Sequence, residues 1–127
     1  MKKLLRSFGY AFNGIALAIK TQLNFRIHIV AMLLVIAAGY FFHISADEWK
    51  WVALCITLVL TSELMNTALE TLTDLVSPER NPKAGAVKDL AAAGVLITAI
   101  FSLAVALVIF LPKVLALLGL HYKGLIA

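Results

Sequence analysis

The chain has 127 residues, of which 62% are hydrophobic and only 14% charged, and its mean hydropathy is +0.96. A water-soluble domain needs far more polar surface than that, so the composition argues for insertion in a membrane. The net charge of +4 is scattered around hydrophobic segments, which disfavours nucleic acid and favours a membrane surface or an anionic ligand such as a nucleotide.

Residues 1–24 form the first expected element. At ~100° per residue Leu4, Phe8, Phe12, Ile15, Ile19 and Leu23 share one face, while Lys2, Lys3, Arg6, Asn13 and Lys20 gather on the other. That pattern fits an amphipathic helix lying on an anionic leaflet. Charges interrupt its apolar residues, so it reads as mature protein rather than a signal peptide. Gln22 falls on the apolar side, an unusual place for an amide with nothing to bind.

Three spans are expected next, at about residues 27–44, 49–74 and 90–111. Each offers roughly 20 residues, enough to cross a ~30 Å hydrocarbon core. Asp47 and Glu48 are expected to cap the second span, which extends beyond the membrane. The third ends at Pro112, and the tail that follows has too short an apolar run for a fourth. Cys55 is the only cysteine and reads as a packed core residue, so no disulfide forms within the chain. The whole reads as one membrane domain, 1–127.

Lysine and arginine counts set the expected orientation. Lys2, Lys3, Arg6, Lys20, Arg26, Arg80, Lys83 and Lys88 fall on one side, against Lys50, Lys113 and Lys123 on the other. Eight against three places the N-terminus and the loop between the second and third spans in the cytoplasm of a bacterial inner membrane. Tyr40, Trp49 and Trp51 then form an aromatic belt at the outer interface.

The acidic residues carry the functional reading. Glu63, Glu70 and Asp74 are spaced by seven and four, so on a helix their directions agree within about 40°, with Asn66 and Thr67 flanking the same stripe. Counting from Trp49 at ~1.5 Å per residue, Glu63 lies about 21 Å in, Glu70 near 31 Å and Asp74 beyond. An ionisable group in hydrocarbon is costly and points by default to function. The plainer alternative is a structural carboxylate, protonated or paired with Lys88 or another helix.

Carboxylates at the water boundary suit Mg²⁺, which binds through one or two of them plus phosphates. A carboxylate withdrawn from bulk water can take a proton from an alcohol, and Arg80, Lys83 and Lys88 can hold polyphosphate. Together these are the parts of an interfacial phosphoryl transferase. Neither a GxxxxGK[ST] loop nor HRD or DFG occurs. A proton- or cation-conducting oligomer would also use buried carboxylates, but should carry polar groups through the whole bilayer depth. A non-catalytic membrane oligomer leaves the acidic stripe unexplained.

The run Glu63-Leu64-Met65-Asn66-Thr67-Ala68-Leu69-Glu70 followed by Asp74 resembles the signature of the prokaryotic diacylglycerol kinase family, whose Gram-positive branch includes undecaprenol kinases. The likeness extends to Gly9-Tyr10-Ala11-Phe12-Asn13-Gly14, to Asn24-Phe25-Arg26-Ile27-His28 and to Ala86-Val87-Lys88-Asp89, covering about residues 6–110. It implies an all-α membrane protein, a surface helix with three spans, assembled as a homotrimer with sites shared between protomers. It implies ATP as phosphate donor, Mg²⁺, and a membrane lipid acceptor, diacylglycerol or undecaprenol. By the same resemblance Glu63 is the general base, Asn66 orients groups beside it, Glu70 holds Mg²⁺ and Asp74 supports the nucleotide end. Lys88 and Asp89 contact ATP, and Tyr10 with Glu79, Arg80 and Asn81 lines the same pocket. Gln22 stands where many members carry a glutamate as second metal ligand, which implies looser Mg²⁺ binding or one metal rather than two. His28 and His43 read as interfacial hydrogen-bonding residues.

Overall fold

The computed structural model describes residues 1–119, as four helices: α1 (Lys2–Thr21), α2 (Leu23–Phe41), α3 (Ala46–Val76) and α4 (Pro82–Leu117). The last three are long and apolar enough to cross a membrane. At ~1.5 Å per residue α2 is about 28 Å long, a match for the hydrocarbon core. The 31 residues of α3 and 36 of α4 exceed it by several turns. Their excess collects at the end where α3 stops and α4 starts, and the acidic stripe lies there.

Helix boundaries depart from the expected ones at each junction. The first helix was expected through residue 24 and the first span from 27. In the structure a single residue separates them: Gln22 adopts extended backbone (φ −110°, ψ 110°) and serves as C-cap of α1 and N-cap of α2. No glycine or proline marks the bend, because one residue leaving helical geometry redirects the chain. At the far end α2 stops at Phe41 rather than at 44. His43 takes a positive φ of 51°, and Ile44 folds back into the core at 7% exposure.

Ser45, not Asp47 or Glu48, is the N-cap of α3. Its Oγ accepts the Glu48 amide at 3.2 Å, and the Glu48 carboxylate accepts the Ser45 amide at 2.9 Å. This reciprocal pair satisfies two of the donors a helix start leaves unpaired. Asp47 instead pairs with Lys50 across one turn, at 2.9 Å.

The third span was expected from residue 90, but α4 begins eight residues earlier. Asn81 caps it by accepting the Lys83 amide at 2.9 Å, and Pro82 starts the first turn, where a missing N–H costs nothing. Lys83 and Lys88 therefore ride on the helix rather than in a loop, which shrinks to residues 77–81. Pro112 does not end α4, which runs on to Leu117. Its missing N–H leaves the Val108 carbonyl without its intrahelical donor, a loss that membrane helices tolerate. Here Lys113 Nζ donates to the Ile109 carbonyl at 3.1 Å and to Glu48 Oε1 at 2.6 Å, tying this turn to the start of α3. Lys123 and the tail beyond Gly119 lie outside the described residues.

The core sits at that same end. Ile44, Val52 and Ile109 are buried together, with Val35, Trp49 and Phe110 packed against them. Gly39 permits the approach of Trp49, since a Cβ there would lie 2.6 Å from the indole ring. Elsewhere the surface is strongly apolar: Leu33, Leu34, Leu96, Ile97, Leu103 and Val108 are all more than half exposed. Such a surface requires lipid or protein around it.

Candidate active site

One helix carries the whole carboxylate stripe. From Glu63 to Asp74 the backbone of α3 is unbroken, so the seven- and four-residue spacings hold and the side chains share a face. Glu63 is 2% exposed and Asn66 9%, while Glu70 is half-buried and Asp74 exposed. Exposure within the chain rises along these three turns, from a shielded carboxylate to an exposed one.

Three polar atoms in this stretch are buried without hydrogen-bond partners: Glu63 Oε2, Asn66 Oδ1 and Thr67 Oγ1. Leaving buried acceptors unsatisfied is costly, and each such group in a folded protein calls for an explanation. Of the plain alternatives for Glu63, one, a pair with Lys88, is not formed. Lys88 on α4 is instead bonded to Asp74 Oδ1, which fastens the first turns of α4 to the last turns of α3. Asn66 Nδ2 reaches Glu70 Oε1 at 3.5 Å, a long contact that leaves its Oδ1 free to accept. His28 of α2 lines the same cleft as Val59, which precedes Glu63 by one helical turn.

The helices are held in register just beyond. Ser62 Oγ and Thr98 Oγ1 stand 2.9 Å apart across the α3–α4 seam, one residue from Glu63. Interhelical hydrogen bonds of this kind contribute about 0.6 kcal/mol on average in membranes. Sequence spacing did not reveal this pair, nor the place of His28, because both depend on which faces of separate helices meet.

The remaining expected residues are less closely gathered. Tyr10 is 68% exposed on α1, and Glu79, Arg80, Asn81 and Asp89 are exposed around the loop and the start of α4. Among the described residues no hydrogen bond joins Tyr10 to the stripe. Gln22 is half-buried at the α1–α2 break, and its side-chain amide donates to Thr21 Oγ1 at 3.2 Å. No group of three or more His, Cys, Asp or Glu side chains converges on a common point among the described residues. Within one chain the fitting donors for a divalent cation are thus the Glu70 carboxylate and the unpartnered Asn66 Oδ1. Such a set suits Mg²⁺, which takes few protein ligands and completes its shell with water and phosphate.

A family model for prokaryotic diacylglycerol kinase matches residues 9–110, which include the starts of α2, α3 and α4 and the full stripe. The chain belongs to that family. The family is one of phosphotransferases with alcohol acceptors, and the chain is an enzyme of this kind. Among its relatives are the undecaprenol kinase of Bacillus subtilis, 36% identical over 89% of this chain and 92% of that one, and the diacylglycerol kinase of Synechocystis sp., 41% identical over 91% of this chain and 66% of that one. The diacylglycerol kinase of Escherichia coli K12 is 28% identical over 77% of this chain and 80% of its own length. The runs on which the resemblance rested, from Gly9 to Asp89, all lie within the matched region.

Proposed function

We propose that this lipid kinase transfers the γ-phosphate of ATP to the hydroxyl of a membrane lipid, undecaprenol or diacylglycerol, giving undecaprenyl phosphate or phosphatidic acid. The observation that carries the reading is Glu63: a carboxylate 2% exposed, with an unpartnered oxygen, in line with a more hydrated carboxylate two turns away. Its position below the water boundary is where a lipid hydroxyl can reach and a soluble alcohol cannot.

The roles follow from that gradient. Glu63 Oε2 accepts the proton of the lipid hydroxyl as its oxygen bonds to the γ-phosphorus, and the bond to the β-phosphate oxygen breaks to release ADP. Asn66 orients the groups beside it through its free Oδ1. Glu70, with Asn66 near it, would hold Mg²⁺, which supplies charge neutralisation to the phosphates when bound. Gln22 offers an amide oxygen as a weaker second ligand. Lys88 exchanges its Asp74 partner for a nucleotide phosphate, while Asp89, Tyr10 and residues 79–81 line the nucleotide pocket.

The donors of one chain are too few to surround a nucleotide, and this supports a homotrimer with sites shared between protomers. The exposed apolar row of Leu4, Phe8, Phe12 and Ile15 on α1 supports an interfacial position for that helix. The basic residues near the stripe support a cytoplasmic site in a bacterial inner membrane.

The deciding experiment places purified protein in lipid nanodiscs with Mg²⁺ and radiolabelled ATP, offering each lipid separately. Label should enter a lipid, disappear on chelation of Mg²⁺, and be lost in Glu63→Gln. Label that persists undiminished in Glu63→Gln would overturn the assignment of the base.

A further inference from the structure

A half-open cleft of about 320 Å³ runs between α2, α3 and α4. One end is lined by His28, Val59 and Leu60, and Val59 precedes Glu63 by one helical turn on the same face. The other end is lined by Val35, Val52 and Phe110, which pack on the buried cluster of Ile44 and Ile109. From Val52 to Glu63 the axial distance is about 16 Å at ~1.5 Å per residue. The cleft is therefore an apolar passage starting one turn from the candidate base and leading away from the nucleotide end.

Its lining is hydrocarbon almost throughout. Beyond His28, the exceptions are the Cys55 thiol and the Ser102 hydroxyl, whose oxygen is buried without a partner. A cavity of roughly 150 Å³ holds a six-carbon ring, so this one holds a segment of about twelve carbons. A glyceride places ester carbonyls within a few bonds of its free hydroxyl. Drawn into this cleft they would lose their hydration, with only the His28 ring, the weak Cys55 thiol and the Ser102 hydroxyl to replace it, a costly exchange. An alcohol that is hydrocarbon up to its hydroxyl carbon meets no such penalty.

Building on the kinase reading above, we propose that the cleft selects the acceptor: it receives the head-proximal twelve or so carbons of a single-chain, ester-free lipid alcohol and presents the hydroxyl to Glu63. Ala99 and Ala106 line the wall, and their small size keeps the passage open. The remainder of a longer chain leaves through the open flank into lipid.

The test uses the full-length protein in nanodiscs with undecaprenol, farnesol and dioleoylglycerol as separate acceptors. The two prenols should be used with kcat/KM at least tenfold above that of dioleoylglycerol. Ala106→Phe should lower the prenol values at least tenfold, change the glyceride value less than twofold and leave the KM for ATP unaltered. Ala104→Phe, on an exposed part of α4, is the size-matched control. Equal or better use of dioleoylglycerol, or equal losses for both acceptor types in Ala106→Phe, would overturn the proposal. A farnesol analogue with a diazirine near its tail, irradiated without ATP, reads the cleft independently of turnover. Adducts on residues 52–60 and 99–110 are expected. Such adducts without any phosphate transfer would sink the kinase reading and leave the cleft standing. Transfer with adducts elsewhere, or a cleft filled by side chains of a second copy and closed to label, would sink the cleft.

Discussion

Replacing Glu63 by glutamine separates a catalytic carboxylate from a structural one. The side chain is nearly isosteric, so packing around a residue 2% exposed is retained, and Oε2 has no hydrogen-bond partner to lose. What disappears is the ability to accept a proton. General-base catalysis contributes about 10²–10⁴ in rate, so kcat should fall by that factor, equivalent to roughly 3–5 kcal/mol of barrier at ~1.36 kcal/mol per tenfold. Stability should move the other way or not at all, because an unpaired ionisable group in a shielded site is a cost that the neutral amide relieves. The assay pairs label transfer to lipid in nanodiscs with thermal unfolding followed by circular dichroism, and with the KM for ATP. Loss of turnover at unchanged Tm and unchanged KM is the expected result. A kcat within threefold of the parent, or a loss of turnover matched by a large fall in Tm, would refute the role of base.

Other substitutions probe the two ends of the molecule. Glu70→Gln should weaken Mg²⁺-dependent ATP binding as well as turnover, seen as a rise of at least tenfold in the Mg²⁺ concentration needed for half-maximal rate. Lys88→Met should raise the KM for ATP roughly tenfold, the worth of one charge-assisted hydrogen bond, with little change in Tm because its partner Asp74 is well exposed. Lys113→Met breaks the bonds to Glu48 and to the Ile109 carbonyl; Tm should fall by a few degrees while kcat and both KM values stay within twofold.

The three spans were legible because a run of apolar residues has little choice but to bury its backbone bonds in a helix. The stripe was legible for a related reason: spacings of seven and four translate into one face only if the helix is continuous, and α3 is. The boundaries were not. Composition cannot distinguish Gln22 as a one-residue break from Gln22 as part of a surface helix, since the change is in two backbone angles. Pro82 and Pro112 carry the same chemical restriction, yet one opens a helix and the other sits inside it. What differs is the company: a capping Asn81 before the first, and a lysine that finds a carbonyl and a carboxylate beside the second. Pairings across the bundle, Asp74 with Lys88 and Ser62 with Thr98, join residues 14 and 36 apart and depend on how helices rotate against one another.

The distribution of satisfied and unsatisfied polar groups follows the same division. At the end where α3 begins, the capping box, the Glu48–Lys113 pair and the Trp49–Gly39 contact satisfy what is polar and pack what is not. At the other end three of five consecutive residues, Glu63, Asn66 and Thr67, hold buried atoms with no partner. A fold can carry such a cost only if it is offset elsewhere, and the well-packed end offsets it. Polar atoms that a chain leaves unpaired are available to groups it does not itself contain. In the proposed reaction those groups are a lipid hydroxyl at Glu63, and phosphate oxygens with their cation from Asn66 onward. The depth at which each unpaired atom lies then fixes the order in which acceptor and donor stand along α3.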